Sequence, residues 1–448
     1  MRVFLDSVGC RLNQSELELI ASDLRQAGAQ LVAVPESSDV IILNTCAVTQ
    51  AAAADSRSMA RRAYRLRPQA RIVLTGCWAT LDPVAAAHLA PGIEVVPNWR
   101  KESIARQLTG GSRLPFAATG EAVRLPIPGN RHRVRGFVKV QEGCNSRCAF
   151  CLTRLVRGPA RSVPPGTVLE RVRHAILGGA HEIVLCGVQL GGYGQEARGL
   201  PRLEGLMGLI LRETEGVRFR LSSIDPWDVS EPLLALWDNR RLCRQLHLPL
   251  QSGSAATLQR MLRPVTPNGF ARLAAKAREW IPGLALTTDL IAGFPGETEV
   301  DFDISLQFVE GMAFADAHVF GYSPRPGTAA ARLPSPVDPV RLGLRTRRLR
   351  ALARTARQAA LSQQVGRTEQ AVWVSGQPAD SGGWSLRGLT DTGFPVSARS
   401  PLNLRSRMSS VHITGVQGGV LTAALAGNDP APHGPHQGPP SPPFRSSV

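Results

Sequence analysis

Cys144, Cys148 and Cys151 fall in one short loop, QEGCNSRCAFC, with the spacing Cys-x3-Cys-x2-Cys. Three thiolates at that spacing can reach one metal cluster from a single turn of backbone. An iron–sulfur cubane has four irons and is usually held by four cysteines. Three ligands leave one iron open, and an open coordination position is where a substrate or cofactor binds. The alternative is a zinc knuckle with a distant fourth ligand, although short zinc sites usually split their ligands into two separated pairs. A disulfide set fits poorly. Three is an odd number, and MRVFLDSVGC lacks the basic segment and long apolar run of a secretory leader.

Three further cysteines share another regularity. Cys10, Cys46 and Cys77 end the runs SVGC, LNTC and LTGC, each after a short apolar stretch. In an open parallel sheet the carboxyl ends of the strands share one edge, and ligands bind there. Cysteines far apart in sequence would therefore converge, with Gly9 and Gly76 admitting close backbone approach. The competing reading is three buried structural cysteines, since free Cys is often buried. Cys186 and Cys243 complete the eight and read as core or incidental.

The elements that must position these groups read as an α/β protein. Residues 1–105 alternate strands at Val3–Leu5, Val40–Leu43, Ile72–Leu74 and Ile93–Val96 with helices near Ser15–Gln26, Ala51–Arg65 and Pro83–His88. This implies a parallel sheet with crossover helices. Residues 106–130 carry Gly and Pro without periodicity and read as a linker. Residues 131–335 contain six strand-like runs alternating with helices, which suits a (βα)6 partial barrel. Sites in parallel barrels are built from loops at the C-terminal ends of strands. The Cys144 loop follows the first strand. CGVQLGGYG, LSSIDP, LPLQSGS and AGFPGET follow later ones, which makes Gly187, Ser223 and Gln251 candidate cofactor contacts. Residues 336–365 form a basic helix with seven arginines between 341 and 357. Its face is either solvated or set against a polyanion. Residues 366–425 show the short apolar alternations of a small β-barrel that binds oligonucleotides. Residues 426–448 are Pro, Gly, His and Ser, a disordered tail.

The 448-residue chain is long enough for several domains and carries a net charge of +17. That balance favours a nucleic-acid or membrane-surface partner. Only Lys101, Lys139 and Lys276 are lysines, so base-composition bias is the blander explanation. No apolar stretch is long enough to span a bilayer, and a cytoplasmic location is expected.

The cluster loop, with Phe150 before its third cysteine, resembles that of the radical S-adenosylmethionine (SAM) enzymes. Residues 1 to about 425 resemble the methylthiotransferase family within them. The resemblance implies two [4Fe–4S] clusters. One would be on Cys144, Cys148 and Cys151 with SAM on its open iron, and the other on Cys10, Cys46 and Cys77. It also implies a TRAM-like RNA-binding domain at the C-terminus. In the family, one SAM methylates a sulfur associated with the second cluster. Another yields the radical that takes hydrogen from the acceptor carbon. GCRLNQSE (9–16) looks like the GC-[KR]-x-N-x-x-E form of the branch acting on N6-threonylcarbamoyladenosine beside the anticodon. HVFGYSPRPGTAAARL (318–333) looks like that branch too. CLTRLVRGPARS (151–162) departs from the family by lacking its usual Pro–Tyr and Glu. The implied partners are a tRNA anticodon stem-loop, an electron donor and a sulfur donor. The alternatives are action on N6-isopentenyladenosine or on a ribosomal protein, and a non-catalytic iron–sulfur RNA-binding protein.

Overall fold

The computed structural model describes residues 1–110, 127 and 134–426. Most of the expected linker and all but the first residue of the expected tail lie outside the described residues.

The chain begins with β1 (Arg2–Ser7), α1 (Arg11–Gln26), β2 (Gln30–Leu31), β3 (Val40–Thr45), α2 (Gln50–Leu66) and β4 (Arg71–Gly76). It continues through α3 (Cys77–Leu81), α4 (Pro83–Ala87), β5 (Ile93–Val95) and α5 (Ile104–Thr109). The five strands form one parallel sheet in the order β2-β1-β3-β4-β5. Val3, Leu5 and Ile42 meet Leu17, Ile20 and Leu24 of α1 on one face. Ile41, Leu43 and Leu74 meet Ala53 and Ala60 of α2 on the other. β3 is therefore buried throughout, as its apolar run VIILNT requires. The strand order reverses between β1 and β3, and the crevice at such a switch point is where ligands bind.

The second unit opens with β6 (Arg135–Lys139), β7 (Gln141–Glu142), α6 (Thr153–Arg157), β8 (Arg161–Ser162), α7 (Pro165–Leu177), β9 (Glu182–Cys186) and α8 (Leu203–Glu213). It continues with β10 (Arg218–Leu221), α9 (Glu231–Leu234), β11 (Gln245–His247), α10 (Ala255–Arg260), α11 (Pro267–Trp280), β12 (Ala285–Ala292), α12 (Glu299–Gly311) and β13 (Asp316–Gly321). β6, β9 and β10 pair in parallel, as do β11, β12 and β13. Parallel bridges at Phe219–Leu242 and Ser223–His247 join the two halves. β6 and β13 do not pair, so the barrel is open on one side, the (βα)6 architecture expected. Alternation along each strand sends Val138, Ile183, Phe219, Leu246, Leu290 and Val319 outward into the helix layer. Their neighbours Phe137, Val184, Arg220, His247, Asp289 and His318 consequently line the lumen.

α13 (Pro339–Ser362), capped by Asp338, packs on β13. Several of its arginines pair within the protein. Arg345 is buried against Glu297 and Glu299, Arg348 pairs with Asp303, and Arg357 pairs with Asp316. β14 (Thr368–Pro378), β15 (Trp384–Thr390), β16 (Pro395–Ser400), β17 (Met408–Gln417) and β18 (Val420–Leu425) then close into a small barrel around Trp373, agreeing with a TRAM-like domain. It plugs the lower mouth of the large barrel. There Arg218 donates to the carbonyls of Gln370 and Leu389, and Arg220 to those of Thr390 and Asp391. Among the described residues no helix is long and apolar enough to cross a membrane.

Candidate active site

Cys10, Cys46 and Cys77 meet at the carboxyl edge of the first sheet. Cys10 is the N-cap of α1, Cys46 directly follows β3, and Cys77 opens α3. A Cβ on Gly9, at φ +113°, would lie 2.8 Å from Cys46 Sγ. One on Gly76, at φ +97°, would lie 2.3 Å from the Thr45 carbonyl oxygen. Both positions need glycine, for conformation and for space. Burial pushes the Cys46 thiol up to about 11. Cys10 is reached by solvent but crowded by protein, and that desolvation raises its thiol as well. Cys77 Sγ accepts hydrogen bonds from Arg157 Nε at 3.3 Å and Asn98 Nδ2 at 3.8 Å.

The second triad occupies the loop between β7 and α6. Gly143 turns the chain at φ +67°, and Cys144 N–H donates to the Gly158 carbonyl at 3.2 Å. The N–H groups of Ser146 and Thr153 point at Cys144 and Cys151 Sγ, at 3.3 and 3.4 Å. Arg263, paired with Asp225, approaches Cys148 Sγ at 3.7 Å. Backbone bonds from Ala149 to Met261 and from Ala330 to Ala149 anchor the loop across the barrel top. Phe150 packs edge-on to Phe294 of the GFPGE loop, with centroids 6.5 Å apart.

All eight cysteines are free of disulfides. Among the described residues, His247, Asp289 and His318 form a group whose ligand atoms all lie within 4.8 Å of one another. Thiol-only donor sets of three, with backbone N–H and guanidinium groups turned to the sulfurs, are the kind that suits an iron–sulfur cluster.

Arg157 ties the triads together. Beyond Cys77, it donates to Glu16 at 2.7 Å, Glu142 at 2.6 Å and Asn13 Oδ1 at 2.8 Å. Lys101 pairs with Glu16 at 2.6 Å and Lys139 with Glu142 at 2.7 Å, all of them buried or nearly so. Burial opposes the charge on Glu16, but Arg157, Lys101 and Lys139 outweigh it and hold the carboxyl well below the ordinary range. Arg157, Lys101, Lys139 and Glu142 were not anticipated as site residues. The signals were there: Asn13 and Glu16 are the Asn and Glu of GCRLNQSE, and two of only three lysines belong to the network.

The expected cofactor contacts are spread over the barrel top. Gly187 lies against Gln141, where an added Cβ would come within 3.2 Å of that side chain. Ser223 bridges to His247 and Gln251 to Leu290, and Gln251 adopts φ +79°, unusual for a residue with a side chain. A cavity of about 630 Å³, unforeseen, opens beside the first triad. Ala47, Arg57, Trp78, Asp82 and Arg325 are among the residues that line it. Arg57 stacks over the Trp78 ring at 5.8 Å.

Residues 2–97 match the uncharacterized protein family UPF0004, and residues 138–309 match the radical SAM superfamily. The chain is 36% identical over 366 residues to a threonylcarbamoyladenosine tRNA methylthiotransferase MtaB of Bacillus subtilis, covering 78% of this chain and 80% of that one. It is 35% identical over 337 residues to the same-named protein of Thermotoga maritima, covering 74% and 77%. It is also 33% identical over 381 residues to a tRNA-2-methylthio-N(6)-dimethylallyladenosine synthase of Corynebacterium urealyticum, covering 81% and 70%. Among solved structures, the radical SAM methyltransferase TsrM from Kitasatospora setae superposes with a TM-score of 0.57 at 14% identity, over 74% of this chain and 75% of that one, a likeness of fold.

Proposed function

This chain belongs to the radical SAM methylthiotransferases of the MtaB type, and we propose that it adds a methylthio group to carbon 2 of N6-threonylcarbamoyladenosine beside the anticodon of tRNA. In this reading Cys144, Cys148 and Cys151 hold one [4Fe–4S] cluster and Cys10, Cys46 and Cys77 hold a second. Two disulfide-free cysteine triads, with Arg157 bonded both to Cys77 of the first and to Glu142 just before the loop of the second, are the observation that carries it. When bound, the clusters and SAM supply the electron, radical and sulfur chemistry that side chains lack.

The residues provide position and charge. N–H groups of Ser146 and Thr153 and the guanidinium of Arg263 offset thiolate charge around the barrel triad. Arg157 and Asn98 do the same at Cys77. Glu16 and Glu142 fix Arg157 from opposite sides and so set the spacing of the two triads. Phe150 and Phe294 make an apolar wall that excludes water from the loop. Gly187, Ser223 and Gln251 remain the proposed SAM contacts. Trp78, Arg57 and Arg325 beside the first triad suit a stacked base and its phosphate. An anticodon-loop adenine is single-stranded and can be splayed into such a site. The TRAM-like barrel is the proposed RNA-holding module. An electron donor and a sulfur donor complete the cycle.

Relatives named for dimethylallyladenosine stand at 33% identity, so that nucleoside is the second reading. The test is a mass profile of nucleosides from the tRNA of cells with and without this gene. Loss of the methylthiolated threonylcarbamoyl nucleoside alone is expected. Loss of only the methylthiolated isopentenyl nucleoside would overturn the substrate and keep the family.

A further inference from the structure

His247, Asp289 and His318 lie outside both cysteine triads, and the chemistry described so far does not use them. They stand on the adjacent parallel strands β11, β12 and β13. His247 is in register with Thr287, and Asp289 with His318. Thr287 and Asp289, two residues apart on β12, share the lumenal face. His318 is the first residue of the HVFGYSPRPGTAAARL run.

Asp289 Oδ1 is where the group meets. His318 Nδ1 lies 3.1 Å from it and His247 Nε2 lies 3.2 Å from it, with the two rings 5.4 Å apart. Nitrogen and oxygen ligands about 2.0–2.2 Å from one ion stand roughly 3 Å apart when adjacent, so these spacings suit a shared cation. The far side of His247 is held as well. Its Nδ1 lies 2.9 Å from Thr287 Oγ1, and that hydroxyl has the Leu246 carbonyl at 3.4 Å to receive its proton. Thr287 Oγ1 then accepts from His247 Nδ1–H, which turns the Nε2 lone pair toward a carboxylate oxygen. Two lone pairs at that distance repel unless a cation sits between them. One proton bridges one pair, whereas one divalent ion bridges all three atoms. A hydrogen bond to the second ring nitrogen is the usual support of a metal-ligating histidine. The strands hold these side chains more rigidly than loops would. Asp316, two residues along β13 from His318, is paired with Arg357 at 2.5 Å and takes no part.

We propose that His247, Asp289 and His318 bind one divalent first-row transition metal ion, a centre separate from the two cysteine triads, with Thr287 as its positioning residue. Two imidazoles and a carboxylate are a donor set for zinc, iron(II) or manganese(II). The ligands come from one wall of the barrel, and the His318 side chain is 62% exposed. The remaining coordination positions therefore open to the lumen, where water, a hydroxyl or a carboxylate can fill them. The proposal holds whichever nucleoside the enzyme modifies.

The experiment uses the reconstituted full chain with its clusters loaded, exchanged into metal-free buffer. It is titrated anaerobically with manganese(II), a poor partner for thiolates, and free manganese is counted by electron paramagnetic resonance. A single equivalent should bind, and zinc should displace it, as the stability order of divalent metals requires. Asp289→Asn and His318→Ala should abolish the binding. Thr287→Val keeps all three ligands and should weaken it by about 10- to 100-fold. Iron content and circular dichroism matching the parent establish that each variant is loaded and folded. A parent that binds neither manganese nor zinc would overturn the proposal and leave an imidazole pair bridged by a proton. Equal binding by the parent, Asp289→Asn and His318→Ala would place the ion elsewhere and overturn it too.

Discussion

At the scale of single residues, Arg157 joins more of the site than any cysteine does. It contacts Cys77, Asn13, Glu16 and Glu142 from a buried position. Removing one partner from a buried ionic network leaves the others uncompensated, at a cost of about 3–5 kcal/mol. Arg157→Ala should lower the stability of the apo protein by about that amount in anaerobic urea unfolding, and Arg157→Lys by less. Equal stability of Arg157→Ala and parent would mean that the network is hydrated rather than buried. A second residue-level expectation separates the triads. Cys46→Ala should lose methylthio product yet keep reductive SAM cleavage, whereas Cys148→Ala should lose both. Full product from Cys46→Ala would make the first triad structural. The six cysteines were legible in sequence because their cues are local: one tight spacing and three strand ends. Arg157 was not, because its acidic partner Glu16 lies 141 residues away and no local pattern announces such a pair.

At the scale of elements, the cluster loop depends on one backbone turn. A Cβ on Gly143 would fall 1.9 Å from the Pro159 carbonyl oxygen, at a φ of +67° that resists side chains. Gly143→Ala should displace the loop and remove about half of the roughly eight irons that two cubanes would carry. The check is iron analysis after anaerobic reconstitution, and an unchanged load would sever the loop from cluster binding. The six barrel strands were readable because each is an apolar run flanked by turn residues. β2, β7 and β8 were missed because two residues hold no periodicity. α1 begins at Arg11, four residues before its helical spacing becomes visible, because Cys10 takes the N-cap position without a side-chain capping bond. The charge on α13 was visible in sequence, but its intramolecular pairing was not.

At the scale of the whole molecule, the terminal barrel is docked through a titratable seam. Burial, with the charge of Asp391, lifts Glu369 to about 7 from an ordinary 4.5, even beside Arg244. The folded state therefore holds this proton more tightly than the unfolded state does. Its contribution to stability falls as pH rises from about 4.5 through 7, and the full penalty applies above that window. The apo protein should lose thermal stability over this range, and Glu369→Gln should flatten the slope. An identical slope in that variant would place the titration elsewhere. The docking also joins the three units, since the TRAM-like barrel closes the lower mouth of the lumen whose upper mouth carries the triads. The central claim is that this lumen methylthiolates a threonylcarbamoyl adenine. The direct measurement is mass spectrometry of nucleosides after the reconstituted enzyme, SAM and a reductant meet tRNA carrying threonylcarbamoyladenosine or isopentenyladenosine, with the ribosomal-protein substrate offered in parallel. The account predicts a methylthio adduct at carbon 2 of the threonylcarbamoyl nucleoside alone. An adduct only on the isopentenyl nucleoside, or only on the protein, would contradict it.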